Sequence, residues 1–126
     1  MKIFSRIIYL FHNISLFKKK IKGAKCRKIK YSSIFIDDFP DDNIIQNNTL
    51  YIVGENGNYW VVIFLCPCGC GDLIQLNLLP EFRPRWSIKK HLDATLTLHP
   101  SIDRLVGCRS HFWIRKGVVE WVELKL

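Results

Sequence analysis

Thr49-Leu50-Tyr51-Ile52-Val53-Gly54-Glu55-Asn56-Gly57-Asn58-Tyr59-Trp60-Val61-Val62-Ile63-Phe64-Leu65 is the stretch that decides the fold. Two apolar runs, Leu50–Val53 and Tyr59–Leu65, rich in β-branched and aromatic residues, flank an Asn-Gly pair. Asn and Gly supply the positive-φ backbone of a tight hairpin turn, and branched or aromatic side chains pack well on a pleated surface. The stretch therefore predicts a β-hairpin. Downstream, Leu73–Leu78, Thr95–Leu98, His111–Ile114 and Val118–Val122 have the length and residue types of further strands. Arg115-Lys116-Gly117 joins the last two as a second hairpin. Nothing after residue 22 has helical period, and no internal repeat is present.

Upstream, residues 1–22 place Ile3, Phe4, Ile7, Ile8, Phe11 and Ile14 at three- and four-residue spacings, with Lys2, Arg6 and Asn13 largely opposite. That period predicts an amphipathic helix ending in Lys18-Lys19-Lys20, either packed on its own domain or lying on a membrane surface or partner. Arg6, His12 and Asn13 interrupt the apolar stretch, and no small-residue cleavage site follows, so it does not read as a secretory signal. Residues 23–48 read as a polar connector, with a short apolar piece at Ile34-Phe35-Ile36 and a solvated acidic turn at Asp37-Asp38-Phe39-Pro40-Asp41-Asp42. The expected architecture is mainly β: a small antiparallel sheet or barrel-like domain over residues 49–126, with an N-terminal amphipathic helix.

The chain has 126 residues, the size of one domain, and its 48% apolar and 24% charged content is that of a globular protein. No apolar run reaches the ~18 residues that a membrane-spanning helix needs. The net charge of +8 is unevenly placed. Residues 1–30 hold ten Lys/Arg and no acid, whereas residues 31–126 hold nine Lys/Arg against eleven Asp/Glu. The globular body is slightly acidic, which argues against a nucleic-acid partner.

Four of the five cysteines fall in two places, Cys66-Pro67-Cys68-Gly69-Cys70-Gly71 and Gly107-Cys108. Three thiols on a Gly/Pro-shaped loop, with a fourth on a distant loop, form a set able to close a tetrahedron around Zn²⁺. The spacing is not C-x-x-C, so one thiol could stand outside the shell, with His111 or His99 in its place. Disulfides, unliganded thiols and a reactive thiol are the rival readings. The favoured one is a structural zinc stapling the β domain through Cys66, Cys68, Cys70 and Cys108, with Cys26 free.

Two polar stretches interrupt the apolar C-terminal region: Leu98-His99-Pro100-Ser101 and Cys108-Arg109-Ser110-His111. Serine hydrolysis needs a hydroxyl, an imidazole within reach of its proton, and donors for the oxyanion. Adjacent strand residues face opposite ways, so Ser110 and His111 do not pair. The workable pairs are crossed, Ser110 with His99 or Ser101 with His111. Arg109 and the amides around Gly107 are candidates for the oxyanion. Both stretches also have a purely structural reading, as a turn and a core or metal-bound histidine. Phe82-Arg83-Pro84-Arg85-Trp86 reads as a rigid loop whose arginines either clamp a carboxylate or peptide terminus or are simply solvated.

The runs Phe64-Leu65-Cys66-Pro67-Cys68-Gly69-Cys70-Gly71-Asp72, Leu76-Asn77-Leu78-Leu79-Pro80, Arg83-Pro84-Arg85-Trp86, Leu98-His99-Pro100-Ser101 and Gly107-Cys108-Arg109-Ser110-His111-Phe112-Trp113-Ile114 together resemble a small bacterial family. Its members are encoded beside ubiquitin-like proteins and E1- and E2-like enzymes, in conjugation operons linked to phage defence. The resemblance, over residues 49–122, implies a serine-type peptidase that trims or removes the ubiquitin-like protein at its C-terminal tail; the expected location is the cytoplasm, either free or peripheral at the inner face of the membrane. It implies a metal site at Cys66, Cys68, Cys70 and Cys108, and a cleavage site around His99, Ser101, Ser110 and His111, without assigning the nucleophile; Ser110 is preferred because a loop tied down by metal-bound Cys108 would hold it rigidly. Arg83, Arg85, Trp86 and Arg109 are the candidate substrate-binding residues. A zinc-dependent hydrolase using Asp72 as base, and a non-catalytic zinc-stapled module that recruits the conjugation enzymes, are the alternatives.

Overall fold

The structure is a computed structural model that describes residues 28–123. Eight strands run in chain order: β1 (Ser32–Ile36), β2 (Thr49–Glu55), β3 (Asn58–Leu65), β4 (Leu73–Asn77), β5 (Ser87–Lys90), β6 (Leu96–Asp103), β7 (His111–Arg115) and β8 (Val118–Trp121). They form two four-stranded sheets, β1-β2-β3-β4 and β5-β6-β7-β8. The predicted hairpins are β2–β3 and β7–β8. Asn56 and Gly57 at the first turn both take positive φ, 52° and 79°, the conformation that an Asn-Gly hairpin turn uses.

The expected fold class needs correction. The strands do not close a single antiparallel sheet or barrel, and β1 pairs with β2 in parallel. Among the described residues there is no α-helix, only a three-residue 3-10 turn at Asp42–Ile44. The helix expected over residues 1–22 lies outside the described residues, as does Cys26. The division into two sheets has a local cause. After β4 the chain enters a loop carrying Pro80 and Pro84, which lack the N–H a strand ladder needs, so the first sheet ends there. The Trp86 amide donates to the Asn77 carbonyl, and the chain then leads into β5. The parallel strand β1 lies within the stretch read as a connector. Its polar neighbours and short apolar piece hide a strand whose partner comes 17 residues later, Ser32 opposite Thr49.

Alternation on the two sheets builds one core between them. Leu50, Ile52, Val62, Phe64, Ile74 and Leu76 from the first sheet meet Leu96, Leu98, Ile102, Phe112, Ile114 and Val119 from the second. Phe112 packs edge-to-face on both Phe64 and Trp121. The opposite face of the first sheet is apolar too, with Tyr51, Val53 and Ile63 buried together.

Two consequences of this core position the functional residues. Because Leu98, Ile102, Phe112 and Ile114 point inward, the alternating His99, Ser101, His111 and Trp113 lie on the outer side of β6 and β7. The register between β6 and β7 also breaks: Leu98 faces Ile114 and Ile102 faces Phe112, so His99, Pro100 and Ser101 oppose Trp113 alone. Such a bulge bends a strand and re-aims the side chains it carries.

Candidate active site and metal centre

The bulge brings Ser101 to His111. Ser101 Oγ lies 2.9 Å from His111 Nε2, a hydrogen bond between neighbouring strands on the outer face of the second sheet. Of the two crossed pairings open from sequence, this one forms. Ser110 instead faces the thiols, its Oγ 3.2 Å from Cys108 Sγ. The His99 ring packs on Trp113 with centroids 5.8 Å apart. Asp103 stands directly across from His111 in the register, without an ion pair between them. Sequence reading passed over Asp103, although its two-residue spacing from Ser101 on one strand places both on the same face.

A cleft of about 300 Å³ opens beside this pair, lined by Arg83, Arg85, Trp86, Ser87, His99 and Pro100. Arg83, Arg85 and Trp86 are thus together, next to the serine, and the Trp86 indole N–H donates to the Ser101 carbonyl at 3.4 Å. Asn77 fixes the loop that carries the arginines. Its side-chain amide donates to the carbonyls of Leu79, Phe82 and Pro84 at 3.1 to 3.2 Å, and its Oδ1 accepts from the Leu79 amide. Arg109 is elsewhere: exposed, with φ of 54°, at the turn between Cys108 and Ser110.

The four thiols converge at the end of β3. Cys66 is buried, and its amide donates to the Asp72 carbonyl, closing the loop from 66 to 72. Cys68 and Cys70 project from that loop, and the Cys70 amide points at Cys68 Sγ, 3.3 Å away. Cys108 arrives from the β6–β7 loop. Gly107 is needed there, because a Cβ on it would come within 3.1 Å of Asp72 Oδ2 and its φ is 74°. All four sulfurs lie within 4.8 Å of one another, with Cys66–Cys68 at 3.4 Å and Cys66–Cys108 at 3.7 Å. Zn–S bonds of ~2.3 Å in a tetrahedron set the sulfurs about 3.8 Å apart, so the donor set fits a zinc-sized ion. None of the four is in a disulfide. The set is complete without His99 or His111.

Electrostatics agree with that fit. Without an ion, burial pushes the Cys66 thiol up and the Cys70 thiol up to about 12. The Ser110 hydrogen bonds pull Cys108 down to about 6. Crowded thiols thus cannot all ionise unaided, and a divalent cation reverses this. Arg104, which sequence reading did not single out, adds a fixed positive charge. Its Nη1 lies 3.3 Å from Asp72 Oδ2, 3.7 Å from Cys108 Sγ and 3.9 Å from Cys70 Sγ. Four thiolates would hold the ion in a closed shell, which supplies cross-linking and leaves no open position for water.

A serine hydroxyl hydrogen-bonded to an imidazole beside an open cleft is the arrangement of a serine hydrolase, here on a two-sheet β scaffold with a cluster of four cysteines that could hold a metal ion. The model of the bacterial ubiquitination-like system serine protease family (BubE) matches residues 35–122, and the chain belongs to that family. The expectation of a serine peptidase and the family resemblance read from sequence are both borne out by this match. Comparison with curated proteins and with solved structures finds no match. Among the described residues no helix is long and apolar enough to cross a membrane.

Proposed function

We propose that the chain is a peptidase that cuts at the C-terminal tail of a ubiquitin-like protein, with Ser101 as nucleophile and His111 as general base. The observation that carries this is the 2.9 Å contact between Ser101 Oγ and His111 Nε2. In the reaction, Oγ attacks the scissile carbonyl carbon while its proton passes to Nε2. The tetrahedral intermediate collapses, the C–N bond breaks, and His111 returns the proton to the departing amine. Water then adds to the acyl-serine with His111 again taking the proton, and Ser101 is regenerated.

The four cysteines hold a structural zinc in this reading. It ties the loop after β3 to the β6–β7 loop and so holds β6 and β7 in the register that pairs Ser101 with His111. Arg83, Arg85 and Trp86 hold the substrate. The partners are the ubiquitin-like protein and the E1- and E2-like enzymes of a cytoplasmic conjugation pathway linked to phage defence, as the sequence resemblance implies. Incubating the purified protein with a tail-extended ubiquitin-like partner tests the reading by mass spectrometry. A trimmed product that disappears with Ser101→Ala is expected; equal cleavage by that variant removes Ser101 from the chemistry. Binding of the conjugation enzymes with no turnover would favour the recruiting module instead.

A further inference from the structure

We propose that the cleft beside Ser101 is a carboxylate subsite for the free C-terminus of the fragment being cut off, so that the enzyme trims short C-terminal extensions in preference to isopeptide bonds. The inference rests on the peptidase reading above and names the class of leaving group it accepts.

Position comes first. Pro100 lines the cleft and is bonded to Ser101, while Trp86, another lining residue, donates its indole N–H to the Ser101 carbonyl. The cleft therefore borders the residue that carries the reacting hydroxyl. Size follows. At about 300 Å³ the cleft is at the low end of ligand pockets, which run about 300–1,000 Å³, enough for a terminal residue or two.

Charge then selects the occupant. Arg83 and Arg85 both line the cleft, and neither forms an ion pair with a carboxylate of the described residues. Arg85 Nε donates to the Leu78 carbonyl at 3.2 Å, which fixes the guanidinium and leaves its two terminal nitrogens free. Arg83 leans on the Pro80 carbonyl. The loop bearing both is held by the three amide hydrogen bonds of Asn77, so little ordering remains to be done on binding. Planar forks held in this way match a carboxylate. A short extension carries its terminal carboxylate one or two residues beyond the scissile bond. A lysine in an isopeptide bond belongs to a chain that continues in both directions and brings no such group.

Three matched substrates test this: a tail peptide with a two-residue extension ending in a free acid, the same peptide ending in an amide, and the tail joined to a lysine side chain. A fluorophosphonate probe reports separately on Ser101. The free acid is expected to have a kcat/KM about 10- to 100-fold above the other two, the range of a charge-assisted hydrogen bond. The Arg83→Gln/Arg85→Gln variant is expected to lose that preference, chiefly through KM. Probe labelling with equal rates for acid and amide, or with isopeptide cleavage as fast as the acid, overturns the subsite alone. Absence of both labelling and cleavage overturns the peptidase reading and the subsite with it. The wild-type comparison of acid with amide decides the matter even where the double variant fails to fold.

Discussion

The Ser110 hydroxyl lies 3.2 Å from the sulfur of Cys108. His111 is the next residue, yet its Nε2 bonds Ser101 from β6. Adjacent residues at the start of β7 face opposite ways, so Ser110 meets a sulfur while His111 meets Ser101.

That separation makes the two alanine variants diverge. Ser101→Ala should lower kcat/KM by at least about 10³-fold, the scale on which nucleophile removal acts in serine peptidases, with thermal stability little changed. Ser110→Ala should leave turnover within a few-fold and weaken metal binding, since Cys108 loses the donor that holds it down to about 6. Peptide kinetics beside chelator competition measures both. A loss of turnover in Ser110→Ala alone would exchange the roles.

Metal uptake should release protons. Cys66 and Cys70 are both pushed up, so near neutral pH each carries a proton that an ion must displace. About two or more protons per ion should appear in a weakly buffered titration with zinc, and affinity should climb as pH rises. Stripping the ion should also lower the melting temperature, because it joins residues 42 positions apart, Cys66 and Cys108. Zinc binding with no proton release would contradict a four-thiolate site.

Legibility in the sequence followed how local each cause was. The β2–β3 hairpin is written in adjacent residues, an Asn-Gly between two branched runs, and could be read directly. The cysteine cluster was legible too, because thiols are few, but its irregular spacing left open whether His99 or His111 replaced one of them. The serine–histidine pairing was narrowed to two options but no further. The choice depends on the bulge at His99, Pro100 and Ser101, which exists only once β6 is laid against β7. β1 was hidden for the same reason: its ladder partner is β2, and a parallel pairing leaves no turn signal behind. Arg104 had no signature either, because its value comes from Asp72, more than thirty residues earlier, reaching the same point in space.

Tyr31 connects the core to the metal loop and has its own pH signature. Its hydroxyl donates to the carbonyl of Leu65, the residue before Cys66, and its ring packs edge-to-face on Phe64. Burial first, then the nearby thiols, raises its pKa well above the ordinary 10.0. A raised folded-state pKa favours the protonated form, so its contribution to stability is full below about pH 10 and is lost as pH rises further. Tyr31→Phe should cost about 1 kcal/mol near neutral pH, the usual worth of one hydrogen bond. It should also flatten the alkaline decline, measured as denaturant midpoints near neutrality and above about pH 10. An unchanged alkaline slope in the variant would place the titrating group elsewhere.

Arg104 ties the thiol cluster to the strand that carries Ser101. Its side chain joins Asp72 and the sulfurs of Cys70 and Cys108, while its amide donates to the Ser110 carbonyl at 2.9 Å. A four-thiolate zinc centre carries excess negative charge, and Asp72 adds more, so one guanidinium there offsets repulsion that would otherwise open the loop. Arg104→Gln should therefore weaken metal binding about 10- to 100-fold, as loss of a group outside the ligand shell commonly does. Arg104→Lys should restore only part, since the positive charge returns but a strongly hydrated ammonium on a flexible stem is not pre-oriented as the rigid guanidinium is. At saturating zinc the Gln variant should regain most of its peptidase rate, because Arg104 acts through the metal loop and does not touch the substrate cleft. A rate that stays low with the site fully loaded would show that the guanidinium acts on the reaction itself.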